Sequence, residues 1–253
     1  MDFRLTPAQR ALREEIRAWL HATLGPQWVG EDADVVDQDW ETARWFNRQL
    51  AQRGWLVPAW PVEYGGRGWS PIEQLILTEE LVYARAPAGA RLFGVHMVGP
   101  TLILHGTEEQ KRRFLPPIAR GEAIWCQGFS EPGAGSDLAS LQTRAVRDGD
   151  EYIINGQKIW TSGAHHSQYM ILLARTDPNA PKHRGISYFV VDMKSPGITI
   201  QPLINMLGDH SFNQVFFEDV RVPRANLIGE ENRGWYVATT TLDFERSSIA
   251  TSV

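Results

Sequence analysis

Apolar residues recur at helical spacing along the first half of the chain, then give way to short apolar runs broken by turn dipeptides. Thr6-Pro7-Ala8-Gln9 has the form of a helix start: Thr6 can cap, Pro7 suits the first helical position and Gln9 completes a capping box. Leu12, Ile16, Trp19 and Leu20 follow on one apolar face. A second helix carries Ala43, Phe46 and Leu50 on a face and stops at Gly54. The capping-box pattern returns at Ser70-Pro71-Ile72-Glu73, ahead of Leu75, Ile76, Glu79 and Val82, and again at Thr107-Glu108-Glu109-Gln110. Between these, residues 92–104 are apolar enough for a buried helix that Gly94, Gly99 and Pro100 bend or interrupt. An all-helical unit over residues 1–121 is expected.

After Gly121 the pattern is that of antiparallel β structure, with Asp148-Gly149 and Asn155-Gly156 as hairpin signals. Strands are expected at 124–129, 141–147, 152–159, 169–174, 186–192, 198–202 and 215–218, making a small barrel or sandwich over residues 122–229. No βαβ alternation supports a Rossmann sheet. From Gly234 the period is helical again, with Trp235, Thr239, Leu242, Arg246 and Ile249 on one side. The stretch 230–253 reaches Thr251-Ser252-Val253 without a helix-ending glycine or proline, so its apolar stripe calls for a helical partner that is missing or separately supplied. The fold class is therefore α+β: a helical unit, a β unit, and the first helix of a further helical bundle.

Composition narrows the function. At 253 residues, 43% hydrophobic and 22% charged, the chain is of ordinary globular make-up. A net charge of −5 with dispersed basic residues leaves no footprint for nucleic acid. Cys126 stands alone, which excludes an intrachain disulfide and a thiolate metal cluster and fits a reducing cytoplasm. No export signal or apolar run long enough to span a bilayer is found.

Two stretches carry candidate chemistry. Gln127-Gly128-Phe129-Ser130-Glu131-Pro132-Gly133-Ala134-Gly135-Ser136-Asp137 ends the first strand; Gly133 and Gly135 permit positive φ and close approach of a ligand, and Ser130 and Ser136 supply hydroxyls, so the loop can hold a diphosphate or form a tight interstrand turn. Asn155-Gly156-Gln157-Lys158-Ile159-Trp160-Thr161-Ser162-Gly163 sets a large aromatic beside hydroxyls. Such a pair suits a flat ring with polar edges, although an isolated Trp160 is more often plain core packing.

Together these stretches resemble the paired signatures of the acyl-CoA dehydrogenase family. The resemblance extends through Phe216-Phe217-Glu218-Asp219-Val220-Arg221-Val222-Pro223 and Asn226-Leu227-Ile228-Gly229, and the family's domain order matches the periodicity. It implies that Gln127, Gly128, Phe129, Ser130, Gly133, Gly135 and Ser136 border FAD, with Phe129 and Ser130 beside the ring and Trp160, Thr161 and Ser162 at its other edge. Trp160 would lie near the route by which electrons leave, and Ser136 would also touch the acyl-CoA.

Further along, Asp243 and Arg246 stand three residues apart, as a local ion pair or, by the resemblance, as contacts to the CoA portion. Members of the family carry the catalytic carboxylate either on this helix or on a loop of the later bundle; Glu245 in Leu242-Asp243-Phe244-Glu245-Arg246 resembles the first arrangement, as in isovaleryl-CoA dehydrogenase, with a base on the later loop or a solvated helix glutamate as the alternatives. A carboxylate base acting beside a thioester carbonyl needs a dry pocket, and Phe93, Met97, Val98 and Leu102 are candidates for an acyl tunnel or for plain core. His96 and His105 make no recognised metal site, and His165-His166 reads as an exposed turn. The resemblance implies dehydrogenation of an acyl-CoA thioester with an electron-transfer flavoprotein as acceptor, in a homo- or hetero-oligomer built as a dimer of dimers. An oxidase-like enzyme and a non-catalytic subunit are the other readings.

Overall fold

The computed structural model describes residues 4–28 and 39–248. Ile249 and the last residues lie outside them.

Each expected cap forms. Thr6, Ser70 and Thr107 close capping boxes with Gln9, Glu73 and Gln110 at the starts of α1 (Pro7–Leu24), α3 (Pro71–Tyr83) and α5 (Glu108–Ala119). Asp39 caps α2 (Trp40–Gln52). The apolar stretch between α3 and α5 is a π-helix, Leu92–Val98, running into α4 (Gly99–His105), so the interruption is a change of helical winding. Ile16, Phe46, Leu50, Trp55, Leu77 and Leu115 meet in the core of this helical part.

Eight strands follow: β1 (Trp125–Gly128), β2 (Arg144–Asp148), β3 (Glu151–Lys158), β4 (Tyr169–Arg175), β5 (Ile186–Asp192), β6 (Ile198–Ile204), β7 (His210–Pro223) and β8 (Leu227–Ile228). The sheet runs β6-β7-β3-β2-β4-β5-β8, with β1 joined to β4. It is not closed, so the sandwich describes it better than the barrel. It is also not wholly antiparallel: β1 pairs with β4 in parallel, and β2 touches β4 in parallel at Arg144 and Arg175. The run 141–147 starts late as a strand because residues 138–140 make a 3₁₀ turn, while β7 extends well beyond 215–218 at both ends.

Asp148-Gly149 does turn β2 into β3, but Asn155-Gly156 does not make a hairpin. It lies inside β3, where the register against β7 shifts between Ile154 and Gly156. Gly156 has φ 146°, and a Cβ there would sit 2.7 Å from Thr143 Cα, so glycine answers to a bulge and a close neighbour.

Strands β4 and β5 are apolar at nearly every position because both faces are covered. Met170, Leu172, Phe189 and Val191 face Tyr152, Val215 and Phe217 within the sandwich, whereas Ile171, Leu173, Tyr188 and Val190 join the helical core. The helix α6 (Gly234–Ser248) packs on that second face through Val237 and Ala238.

Candidate active site

A cavity of about 300 Å³ opens where the loop after β1, the end of β3 and α6 converge. Gln127, Phe129, Ser130, Gly135 and Ser136 line one side, Ile159 and Trp160 another, and Trp235, Leu242 and Glu245 the third, with Leu138 at the rim. Hydroxyls, an amide and one carboxylate thus meet apolar walls, the mixture that a flat heteroaromatic ligand requires.

The loop is held from beneath by an ion pair. Lys158, fully buried on β3, donates from Nζ to Glu131 Oε1 at 2.9 Å and to Phe129 O at 3.0 Å. Glu131 also accepts from Gln142 N at 2.6 Å and Thr143 N at 2.8 Å. Burial pushes the Glu131 carboxyl up, but Lys158 and these N–H donors outweigh it and hold the group below the usual range. Burial pulls Lys158 down to about 8 against the attraction of Glu131. Both residues stand inside the two stretches singled out from sequence, yet sequence reasoning gave them no role; opposite charges in two motifs that must meet were the available signal.

Buried hydroxyls fix α6. Thr241 Oγ1 lies 3.1 Å from Tyr188 OH on β5 and 3.0 Å from Thr101 Oγ1 on α4, and His105 Nε2 lies 2.9 Å from Thr240 Oγ1. One turn further on, Glu245 is half-buried and reaches the cavity. Asp243 and Arg246 are exposed and pair with each other at 2.6 Å, so the local ion pair is present at the surface.

The remaining expected residues separate. Gly133 and Gly135 have no positive φ, but a Cβ on either would meet nothing within 4 Å, leaving open space before the main chain. Gly128 does not line the cavity; a Cβ there would collide with Met170 Sδ, which gives the glycine a packing reason. Trp160 is 61% exposed with φ 60°, an uncommon backbone state for a bulky residue, and its edge meets Phe212 at 6.1 Å. Thr161 and Ser162 follow it without lining the cavity, and Thr161 Oγ1 is buried with no hydrogen-bond partner among the described residues. Uncovered backbone at Gly133 and Gly135, the hydroxyls of Ser130 and Ser136, and the Trp160 indole are what the polar edges and flat face of a flavin nucleotide require, so the residues present fit FAD.

Of the tunnel candidates, Met97, Val98 and Leu102 are buried and Phe93 packs against the core; none lines this cavity. The His165-His166 turn is not exposed: both residues are half-buried, His165 stacked on His210 at 3.9 Å and His166 on Trp40 at 4.6 Å. Among the described residues no group of His, Cys, Asp or Glu could hold a metal ion, and no helix is long and apolar enough to cross a membrane.

Comparison with known proteins gives one answer. The family models for the acyl-CoA dehydrogenase N-terminal and middle domains match residues 6–122 and 126–220. The acyl-CoA dehydrogenase FadE29 of Mycobacterium tuberculosis is 47% identical over 96% of this chain, and the mitochondrial isovaleryl-CoA dehydrogenase of Pongo abelii is 35% identical over 97%. A solved structure described as "Tcur3481-Tcur3483 steroid ACAD" superposes with TM-score 0.88 at 42% identity over 100% of this chain, and one described as the ChsE4-ChsE5 complex from Mycobacterium tuberculosis does so with TM-score 0.83 at 41% identity over 96%. The chain spans less than two thirds of each: 62% and 58% of the two relatives, 65% and 61% of the two solved chains. With both of its domain models matched in order, the chain belongs to the acyl-CoA dehydrogenase family.

Proposed function

We propose that this site performs the FAD-dependent α,β-dehydrogenation of an acyl-CoA thioester to the trans-2-enoyl-CoA. The observation that carries the reading is the convergence of Glu245 with Gln127, Phe129, Ser130, Ser136 and Trp160 on one cavity. Bound between the loop after β1 and the Trp160-Thr161-Ser162 segment, FAD would supply the acceptor for the hydride that leaves the β carbon.

The protein's own residues do the rest. The Glu245 carboxylate takes the proton from the carbon next to the thioester carbonyl. Phe129, Leu138, Trp235 and Leu242 line the same cavity with apolar surface. Ser136, which lines the cavity, and Arg246 with Asp243 on the exposed side of α6 would meet the CoA portion. Trp160, lining the cavity yet largely exposed, stands at the side from which electrons pass to an electron-transfer flavoprotein.

The acyl group we favour is a steroid side chain, supported by the 42% identity to the steroid ACAD. We favour assembly as a homo- or hetero-oligomeric dimer of dimers; the paired names of two neighbouring complexes support an oligomer. A cytoplasmic location agrees with the single buried Cys126. Turnover with an artificial electron acceptor across steroid, branched and straight acyl-CoA thioesters tests the reading: steroid thioesters lead, and Glu245→Gln abolishes turnover with all of them. Turnover that survives in the variant removes the base assignment.

A further inference from the structure

Behind the Trp160-Thr161-Ser162 segment lies a hydrogen-bonded cluster that the proposed chemistry does not use. Thr161 is clamped twice by Asn213 of β7: Thr161 N donates to Asn213 O at 3.0 Å, and Asn213 Nδ2 donates to Thr161 O at 3.0 Å. Asn213 is fully buried. Its second amide hydrogen faces His165 Nδ1 at 3.0 Å, and its Oδ1 accepts from His210 Nε2 at 2.7 Å. All of the amide's hydrogens and its oxygen are therefore committed, and the pattern admits one arrangement of protons: His165 unprotonated at Nδ1 and His210 protonated at Nε2.

We propose that Asn213 is a positioning residue that, through the Thr161 backbone, holds the neighbouring Trp160 at the cavity, and that it keeps this role only while His165 Nδ1 carries no proton. The inference rests on the flavin reading given above. A proton on His165 Nδ1 would set N–H against N–H. Turning the amide over sets Oδ1 against Thr161 O and Nδ2 against the His210 N–H. The clash is relieved only by shifting or turning the Asn213 amide, and the turned amide gives up its tie to Thr161 O, which leaves the backbone next to Trp160 held by the Thr161 N–H alone.

The surroundings keep His165 neutral. His165 is stacked on His210 and lies 4.0 Å from His166, which stacks on Trp40 and whose carbonyl accepts from Arg44. The carboxylate next to His210, Asp209, accepts from Asn205. Burial first, and then His166 and His210, push His165 down to about 4. The folded value thus lies below the unfolded one, so neutral His165 is secure above about pH 6.5, and the arrangement is lost as pH falls through the folded value.

FAD affinity of the intact chain, read by flavin fluorescence from about pH 8 down to about pH 4 with circular dichroism as the check on folding, tests this. Wild type is expected to hold its affinity near neutrality and lose it on the acid side. Asn213→Leu should bind FAD about tenfold more weakly at neutral pH. His165→Asn keeps an acceptor where Nδ1 stood but cannot take up a proton, so it should bind as wild type does at neutrality and show no acid loss. Unchanged affinity in Asn213→Leu, or a wild-type acid limb in His165→Asn, overturns the proposal alone. Absence of FAD binding by the wild type at every pH overturns the flavin reading and this inference with it.

Discussion

Lys158 and Glu131 meet at 2.9 Å with side chains 0% and 7% exposed, one ending β3 and the other within the loop after β1. The pair joins the two stretches that the flavin reading needs side by side, and Lys158 reaches past Glu131 to the carbonyl of Phe129. The residues that the flavin reading sets on both sides therefore share one buried fastening.

Lys158→Met removes the cation and leaves Glu131 charged in a dry setting, so it should cost about 3–5 kcal/mol in urea unfolding and weaken FAD retention. Glu131→Gln keeps one oxygen where Gln142 N and Thr143 N reach two different ones, and it leaves Lys158 buried without a counter-charge, so it too should cost about 3–5 kcal/mol. Two variants with wild-type midpoints would show that the pair fastens nothing.

Gly128, which ends β1, and Gly133 and Gly135 in the loop after it should behave differently. Gly128→Ala drives a methyl into Met170 and should lower stability by about 1–3 kcal/mol. Gly133→Ala and Gly135→Ala meet open space, so they should keep the wild-type melting temperature while weakening FAD binding. Equal FAD affinity in all three would mean that the open backbone faces no ligand.

Arg246→Ala breaks an exposed pair with Asp243 and should change stability by less than about 0.5 kcal/mol. If Arg246 meets CoA phosphates, KM for the thioester rises several-fold with kcat nearly unchanged, and added salt narrows the difference between variant and wild type. An unchanged KM leaves only the local ion pair.

Sequence reasoning reached the helix starts because capping boxes at Thr6, Ser70 and Thr107 are local devices. It missed the bulge at Gly156 because that glycine answers to Thr143 on another strand. The parallel pairing of β1 with β4 was equally hidden, since alternation along a strand does not report its neighbour's direction. In the cavity, polar and glycine positions such as Gln127, Ser130 and Gly135 were legible, whereas Leu138, Ile159, Trp235 and Leu242 were not: an apolar side chain at a cavity wall has the same pattern as one in a core. The histidines 165 and 166 looked like a surface turn because their partners, Trp40, His210 and Asn213, come from distant parts of the chain.

The most direct test is an anaerobic titration of the FAD-loaded chain with a steroid acyl-CoA thioester, followed by the visible absorbance of the flavin. Bleaching in the wild type, and none in a Glu245→Gln variant that retains its FAD, is the predicted result. A wild-type chain that takes up no FAD, or a variant that bleaches as fast as the wild type, contradicts the account.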